Sequence, residues 1–527
     1  MRRKRNRRSY DQLSQDMAKQ NGTDNASQPA LQVIVLGSGG GPQEHNVTAF
    51  LVRPVKSGWT KGSIVALDAG VHLSAITRIL EETQPRGLGA DVALPHVLAS
   101  GPFAGMEIYS SSASTNAAYV TKHLVDTYLI THPHLDHISG FVINTAGLPG
   151  ARPKRIAGLP STISAFKTHI FNNVIWPNLS DENNGAGLVT YTRLVEGGSP
   201  ALGEGDGKGY LEISDDLTVK VFGVSHGHCI ERHTHRGSTS SSRLGSIDVS
   251  SLATPRMPQG NNSISAPSSI FRTSANAHPS VAQERESACV YDSSAYFIRD
   301  AVSGREVLMF GDVEPDSISL SPRNHGVWQE AAPRIAKGSL AAIFIECSYD
   351  DSQTDDRLFG HLTPRYIIQE LKVLAHEVEM ARQTPAKPEP NKKRKRELDL
   401  ANGKPNRVIP RSGGDDGPVS PRSIRPQRGP SSPSVTSDPG YESPHIATPT
   451  AEMSLKDFET NMNSPTTPQR MSNPLDGLSV VIIHVKETLS DGELARDIIF
   501  RELLEHEKEA ELGCEFIVSK MGQSLVF

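Results

Sequence analysis

The chain has 527 residues, and its 54 Lys and Arg against 59 Asp and Glu give a formal net charge of −5. This mildly acidic balance excludes a strongly basic nucleic-acid-binding body, so we expect no nucleic-acid partner. Its four cysteines lack CxxC spacing, which argues against a disulfide framework or a zinc knuckle and favours a reducing compartment.

The N-terminal segment, residues 1 to about 30, is polar, and we expect a disordered basic tail. Its charge resembles the start of a signal peptide, but no apolar stretch follows, so ordinary secretion is not expected. The first apolar run, residues 31–36, is too short to cross a bilayer, and we predict no membrane partner. We therefore predict a cytoplasmic protein. Basic runs at 2–8 and 392–396 are either signals for an additional nuclear location or solvated tails.

Ordered structure is predicted to begin at Leu31. Apolar runs at 31–36, 48–52 and 63–68 predict three strands, and residues 71–82 have the apolar spacing of a helix that covers them. Further apolar runs predict strands at 128–130, 217–224, 306–310, 341–345 and 478–485. Strands interspersed with helical segments predict an α/β domain.

Two long segments, at about 236–286 and 384–474, are rich in Ser and Pro and carry hardly any periodic apolar signal. Because they cannot bury enough apolar surface, we expect disordered insertions within one catalytic domain that spans residues 31–527. Pairs such as Ser443-Pro444 and Thr448-Pro449 are either substrates for proline-directed kinases or the ordinary composition of a disordered tract.

The segment most informative about chemistry is residues 127–140, TYLITHPHLDHISG, in which an apolar run leads into three histidines and an aspartate. His132 and His134 alternate along an extended chain and can point the same way, while Asp136 and His137 lie one turn further on. A strand that delivers four metal-capable side chains into one loop suits two divalent cations that share one pocket.

The HxHxDH pattern resembles the metal-binding motif of the metallo-β-lactamase superfamily. That resemblance implies further ligands in a fixed order along the chain, each near the end of a strand. The candidates, in chain order, are Asp68, which would brace the histidine loop from behind, His226, with His228 as a nearby competitor, a bridging Asp312, and His361 in FGHLTP.

Residues 132–143, HPHLDHISGFVI, look more narrowly like the signature of the class II cyclic-nucleotide phosphodiesterases. Blocks at 36–42 (LGSGGGP), 345–349 (IECSY), 360–364 (GHLTP) and 481–486 (VIIHVK) also agree with that family, whereas the long insertions depart from it. The resemblance implies a four-layer αββα sandwich of two mixed sheets. It also implies hydrolysis of cAMP, with cGMP as a further substrate, to the 5′-monophosphate, which would end cAMP signalling.

The same resemblance implies two divalent ions, with zinc as the expected metal. The first ion would be held by His132, His134 and His226, and the second by Asp136, His137 and His361, with Asp312 and a water between them. That water, its pKa lowered toward neutrality, would attack phosphorus in line with the 3′ oxygen.

Catalytic roles are expected for three residues. Asp136 is included as a ligand of the metal centre. His484, at the end of SVVIIHVK, would protonate the departing 3′ oxygen or hold a phosphate oxygen, unless it is a core histidine. Glu346 would assist the reaction or only orient a ligand. The sequence singles out no residue that stacks on the base, and the aromatic candidates are Tyr109, Phe141 and Trp176.

Alternative functions remain open at this stage. Another hydrolase on the same scaffold, such as a 3′ tRNA-processing nuclease or a lactonase, would share the metal site. Such a nuclease should carry a basic arm and a histidine at the position of Ile345. A non-catalytic scaffold should lack ligands, whereas all the candidates are present. The glycine turn at 37–42 either lets backbone N–H groups approach the phosphate or only reverses the chain.

Overall fold

The computed structural model describes residues 29–147, 152–231, 287–383 and 473–527. The predicted basic tail and the insertions at 236–286 and 384–474 lie almost wholly outside the described residues, so they stay predictions, as does the single domain at 31–527. Among the described residues, no helix is both long and apolar enough to cross a membrane.

The described residues form sixteen strands, most of them in two seven-stranded sheets. In chain order they are β1 (Leu31–Gly37), β2 (Ala49–Pro54), β3 (Ile64–Ala69), β4 (His96–Val97), β5 (Glu107–Ile108), β6 (Val125–Leu129), β7 (Lys154–Gly158), β8 (Val189–Arg193), β9 (Leu211–Ser214), β10 (Leu217–Glu231), β11 (Ser287–Asp300), β12 (Glu306–Phe310), β13 (Leu340–Glu346), β14 (Ser479–Ile483), β15 (Glu515–Val518) and β16 (Ser524–Val526). Strands β4 and β5 pair only with each other.

Helices follow many of these strands. The α-helices are α1 (Leu73–Thr83), α2 (Ala113–Tyr119), α3 (Leu135–Ala146), α4 (Pro160–Ala165), α5 (Asn324–Ala336), α6 (Pro364–Gln383) and α7 (Ala495–Ala510). Single π-helical turns extend α2 and α4 over Val120–Leu124 and Phe166–Ile170, and short 3-10 turns lie at Glu44–Asn46, Gly205–Gly207 and Asp355–Arg357.

Both sheets are mixed, as predicted. The first has the strand order β16-β1-β2-β3-β6-β7-β8 and the second the order β15-β14-β13-β12-β11-β10-β9. Strands β3, β6, β7 and β8 run parallel in the first sheet, and β12 to β15 run parallel in the second. The other neighbours are antiparallel.

The two sheets pack face to face. Phe50 of the first sheet and Phe344 of the second meet edge-on, with ring centroids 6.1 Å apart, inside a buried cluster drawn from both sheets. A second cluster joins the first sheet to α1, α2 and α3, and a third joins the second sheet to α5, α6 and α7. These layers confirm the predicted αββα sandwich.

Strand β1 explains why the sequence shows unbroken apolar runs. Leu31, Val33 and Val35 lie in the cluster between the sheets, whereas Ile34 and Leu36 lie in the cluster shared with the helices. Successive side chains of a strand point to opposite faces, and here both faces are buried. Polar and apolar residues therefore do not alternate.

Several predicted boundaries differ from the structure, and two of the differences have a visible cause. Helix α1 begins at Leu73 rather than at residue 71, because Gly70 N still donates a hydrogen bond to Thr48 O, at 2.9 Å, next to the paired strands β2 and β3. The strand predicted at 217–224 continues to Glu231, because β11 pairs with it along its length through a bulge.

Candidate active site

Strand ends bring the predicted site residues to one edge of the two sheets. Strand β6 leads into a short loop with His132 and His134, and α3 starts at once, so Asp136 and His137 occupy its first turn. Other candidates lie at or just beyond the ends of β3, β12, β13 and β14, namely Asp68, Asp312, Glu346 and His484. Because parallel neighbours end at the same side of a sheet, these side chains meet.

Asp68 holds the histidine loop in place. Its Oδ1 accepts a hydrogen bond from Thr131 N at 2.8 Å, and its Oδ2 accepts one from Thr131 Oγ1 at 2.8 Å. His137 Nδ1 donates to the same Oδ2 at 2.8 Å, which leaves the lone pair on Nε2. Asp68 has a left-handed backbone, with φ of 52°, which residues other than glycine, asparagine and aspartate seldom adopt.

Four side chains form a first group of metal-capable donors. The donor atoms of His132, His134, His226 and Asp312 all lie within 4.8 Å of one another. Asp312 Oδ2 is 3.7 Å from His132 Nε2 and 3.5 Å from His226 Nε2. His226 Nδ1 donates a hydrogen bond to the carbonyl oxygen of Gly360 at 2.9 Å. The lone pair of the ring is therefore on Nε2, which can bind a metal ion.

A second group, made of Asp136, His137, Asp312 and His484, shares Asp312 with the first. Asp312 Oδ1 lies 3.2 Å from His137 Nε2, and its Oδ2 lies 3.2 Å from His484 Nε2. Asp136 Oδ2 is 3.9 Å and 3.7 Å from the same two nitrogens. Thr48 Oγ1 is 2.7 Å from His484 Nδ1 and fixes the other edge of that ring.

Buried donor atoms without partners identify the point where a cation fits. Among the described residues, His137 Nε2, His484 Nε2 and Asp312 Oδ1 are buried and make no hydrogen bond. An unsatisfied buried polar atom costs about 1–3 kcal/mol, so three that converge need a common partner. Imidazole nitrogens and carboxylate oxygens are the ligands of zinc-like ions. The three atoms therefore fit one divalent cation in the second group, and the donors of the first group, which shares Asp312, could hold another.

Burial keeps several of the histidines neutral, as metal ligation requires. It lowers the pKa of His226 to about 3 and lowers the pKa values of His132 and His484 well below 6.5. Burial by itself would raise the pKa of Asp312, but electrostatic attraction to the neighbouring imidazoles of His484 and His137 outweighs it and lowers that pKa well below 3.8. Positive charge is thus favoured beside the Asp312 carboxylate.

Glu346 and His361, together with His226, form a third metal-capable group next to these two. Fully buried Glu346 accepts hydrogen bonds from Ser348 Oγ at 2.7 Å and from His361 Nδ1 at 2.8 Å. Lys486 Nζ lies 2.9 Å from His361 Nε2, and His361 Nδ1 is 3.9 Å from Asp312 Oδ2. His361 therefore reaches the site, but both of its nitrogens already have protein partners.

Every predicted site residue lies in this region, but His361 and His484 are grouped differently from the sequence interpretation. The sequence interpretation grouped His361 with Asp136 and His137 and gave His484 the transfer of a proton. In the structure His484 joins Asp136 and His137, and its ring stacks on His137 with centroids 5.0 Å apart, whereas His361 is grouped with His226 and Glu346.

Three smaller features of the site are a histidine that was a candidate ligand, two residues that were not predicted, and the glycine turn. The competitor His228 is exposed and belongs to no metal-capable group of the described residues. Thr48 and Lys486 were not predicted, although Lys486 lies within the VIIHVK block. In the glycine turn at 37–42, Gly39 N–H donates to the carbonyl oxygen of Asn46 and Gly40 N–H to that of Val485, so both groups already have backbone partners.

Comparison with known proteins relates this site to a family. A family model described as class-II cAMP phosphodiesterases matches residues 31–386, more than half of the chain. The chain is 29% identical, over 344 residues, to the 3′,5′-cyclic-nucleotide phosphodiesterase of Schizosaccharomyces pombe, covering 64% of this chain and 73% of that protein. It is 24% identical, over 374 residues, to 3′,5′-cyclic-nucleotide phosphodiesterase 1 of Saccharomyces cerevisiae, covering 65% and 82%.

A solved structure supports the same fold. Unliganded yeast PDE1 superposes with a TM-score of 0.54 at 19% identity, covering 95% of this chain and 100% of that chain. The layered sheets, the strand-end donors and the matched family agree with one another. The chain therefore belongs to the class-II cAMP phosphodiesterases, enzymes of the metallo-β-lactamase fold that hydrolyse cyclic nucleotides.

Proposed function

We propose that this chain hydrolyses cAMP, and also cGMP, to the nucleoside 5′-monophosphate with the help of two zinc ions, and so ends cAMP signals. The proposal depends most on one observation: Asp312 belongs to two donor groups. Within each group the donor atoms lie within 4.8 Å of one another. A mixed set of imidazole and carboxylate donors suits zinc. The family supports a cyclic nucleotide as the substrate.

The proposed ligand sets follow the donor groups. The first ion would be held by His132, His134 and His226, and the second by Asp136, His137 and His484, with Asp312 common to both. When bound, the ions would supply a water of lowered pKa and positive charge beside the phosphoryl oxygens. His484 thus takes the place that the sequence interpretation gave to His361.

Hydrogen bonds behind the ligands orient the rings toward the ions. Asp68 accepts from His137 Nδ1 and the Gly360 carbonyl accepts from His226 Nδ1, so each Nε2 keeps its lone pair. Thr48 Oγ1 plays the same part at His484 Nδ1, at 2.7 Å. Partners of this kind fix both the tautomer and the direction of a ligating imidazole.

The departing 3′ oxygen needs a proton, and we assign its transfer to His361. Glu346 accepts from His361 Nδ1 at 2.8 Å and would hold the ring while Nε2 takes a proton from the Lys486 ammonium and passes it to the 3′ oxygen. The Lys486 ammonium, 2.9 Å from that Nε2, adds positive charge on the side where the phosphate would lie. Glu346 accordingly orients His361 rather than reacting itself.

The cellular setting is proposed from sequence composition alone. The basic runs at 2–8 and 392–396 support a cytoplasmic enzyme that also enters the nucleus, and Ser443 and Thr448 are proposed sites for proline-directed kinases. All of these residues lie outside the described residues.

Turnover of defined substrates tests the proposed reaction. Purified protein is given cAMP, cGMP and the generic diester bis-p-nitrophenyl phosphate, before and after removal of metal with a chelator and after zinc is added back. We expect both cyclic nucleotides to give 5′-monophosphates, with activity lost on chelation and restored by zinc. Hydrolysis of the generic diester but of neither cyclic nucleotide would refute the proposed substrate.

The roles of His361 and His484 are tested by zinc content. His484→Ala should lose the second zinc after dialysis against a weak chelator, because its Nε2 belongs to the second donor group. His361→Ala should keep two zinc ions and lose turnover, since it pairs with Glu346 instead. Full zinc content in His484→Ala together with loss in His361→Ala would reverse the assignment.

A further inference from the structure

Phe359 combines a strained backbone with an exposed aromatic ring. Its φ is 52°, and the residue is 69% exposed. Bulky residues rarely adopt a left-handed backbone, and an exposed ring gains little from burial, so neither local conformation nor core packing accounts for Phe359. Strain of this kind is concentrated where proteins hold ligands.

The active site itself holds Phe359 in this conformation. The next residue, Gly360, accepts a hydrogen bond on its carbonyl from His226 Nδ1 at 2.9 Å. Gly360 has φ of 81°, and a Cβ added to it would lie 2.6 Å from Gly227 N, so the two glycine backbones touch. Phe359 is therefore fixed beside the bulge of β10 that carries His226.

A second exposed aromatic residue, Tyr291, lies across the same bulge. The pairing of β10 with β11 shifts between Ser225 and His228, and Tyr291 lies on β11 opposite this irregularity. Its ring centroid is 6.2 Å from that of His134, and the residue is 44% exposed. Tyr291, on β11, and Phe359, whose backbone lies against Gly227 of β10, are thus both next to the bulge that carries His226.

We propose that Tyr291 and Phe359 bind the purine base of the cyclic nucleotide, an inference that rests on the proposed function. A phosphate placed beside Asp312 leaves the base to extend past His134 and His226, where these two rings are exposed. Stacking uses the π face that adenine and guanine share, so such a site accepts both cAMP and cGMP.

The aromatic residues considered from the sequence fit this role less well. Phe141 is buried in the core beneath α3, at 1% exposure. Trp176 packs against the same core cluster, and the hydroxyl of Tyr109 donates to Glu107 at 2.7 Å beside strand β5. None of these three has a ring contact with a metal-capable residue, whereas Tyr291 contacts His134.

The variant Phe359→Gly tests the proposal without breaking the turn. Glycine accepts φ of 52° freely, so the variant removes the ring and should keep a thermal midpoint at least equal to the wild type. Tyr291→Ala removes the second ring. Tyr109→Ala is the matched control, because Tyr109 is also an exposed aromatic residue, at 52%.

Two readouts separate base binding from the reaction. Calorimetry should show 5′-AMP binding weakened about tenfold in Phe359→Gly and in Tyr291→Ala, with ribose 5-phosphate binding unchanged. The KM for cAMP should rise about tenfold with kcat within about twofold, while a base-free ribose 3,5-cyclic phosphate should be turned over as by the wild type. Tyr109→Ala should match the wild type throughout.

The outcomes distinguish this inference from the proposed function. If the wild type hydrolyses cAMP and both variants bind 5′-AMP as tightly as it does, the base site is refuted while the reaction stands. A lowered midpoint in Phe359→Gly with unchanged 5′-AMP affinity would assign the ring to chain packing and also overturn the proposal. If the wild type hydrolyses no cyclic nucleotide, the proposed function itself fails.

Discussion

Gly40 lies against the ring of His484, and a methyl group at this position tests whether that ring is a metal ligand. A Cβ on Gly40 would lie 2.5 Å from Cδ2, 2.6 Å from Nε2 and 2.9 Å from the carbonyl oxygen of His484. Carbon atoms in contact are about 3.5–4.0 Å apart, so the ring must move by about 1 Å. His484 has little freedom to do so, because Nδ1 is 2.7 Å from Thr48 and its φ is 59°.

The expected loss follows from the tolerance of a metal site. Ligand distances must hold to about 0.2 Å, so Gly40→Ala should weaken the second zinc by more than about tenfold. Turnover of cAMP should fall by about 100-fold, and overpacking should cost about 1–3 kcal/mol of unfolding free energy. The measurements are zinc content after dialysis in a zinc buffer, kcat/KM, and urea unfolding.

Gly326→Ala is the matched control for this experiment. Gly326 lies on the exposed side of α5, and a Cβ there meets nothing within 4 Å. Alanine is also the better helix former by about 1 kcal/mol, so this variant should keep both zinc ions and should not lose stability. Two bound zinc ions and wild-type kcat/KM in Gly40→Ala would refute the ligand role of His484.

Three further predictions follow from the buried polar groups and the ligands. Asp68→Asn should weaken zinc binding by about 10- to 100-fold, because Asp68 accepts from His137 Nδ1 at 2.8 Å, and competition with a chelating dye measures this; unchanged affinity would contradict it. Removing zinc from the wild type should lower its thermal midpoint, since the ions bind only the folded chain, and equal midpoints with and without chelator would count against the centre. Burial lowers the pKa of Lys154 from 10.5 to about 8, so below pH 8 the fold carries the whole cost of a buried ammonium. Between pH 8 and 10.5 the unfolded chain binds more protons, so stability should rise by up to about 3 kcal/mol. Lys154→Met should lack this rise in urea unfolding across that window, and parallel pH profiles of the two proteins would be inconsistent with the pKa assigned to Lys154.

Several strands could be predicted because their cause is local, although the long strand β11 was not. Strands such as β1 and β12 are buried on both faces, so each appears in the sequence as an apolar run with the bounds that the structure gives it, to within a residue or so. Short edge strands could not be predicted in this way. Strand β16 is three residues long and forms by pairing with β1 at the other end of the chain, which no local pattern encodes.

The site residues could be found from the sequence, but their partners could not. A histidine at a strand end is visible in the sequence, whereas the Thr48 hydroxyl that fixes His484 lies 436 positions away. His361 and His484 both lie within blocks that match the family, and only the fold decides that His361 lies beside Glu346. The left-handed backbone of His484, with φ of 59°, also has no sequence signal. The spacing of residues in the sequence identifies metal ligands within one loop, but it does not show which residues of different loops lie together.

The two metal-capable groups that share Asp312 lie where the two sheets adjoin, and each of them takes donors from both sheets. His132 and His134 follow β6 of the first sheet, whereas His226 and Asp312 belong to β10 and the end of β12 in the second. A cation that binds such a set joins the two halves of the sandwich. The left-handed backbones of Asp68 and His484, one in each sheet, lie at the same place. A cation bound by donors from both sheets would therefore help to keep these two backbones in their left-handed conformation. Neither sheet could assemble such a set of ligands alone.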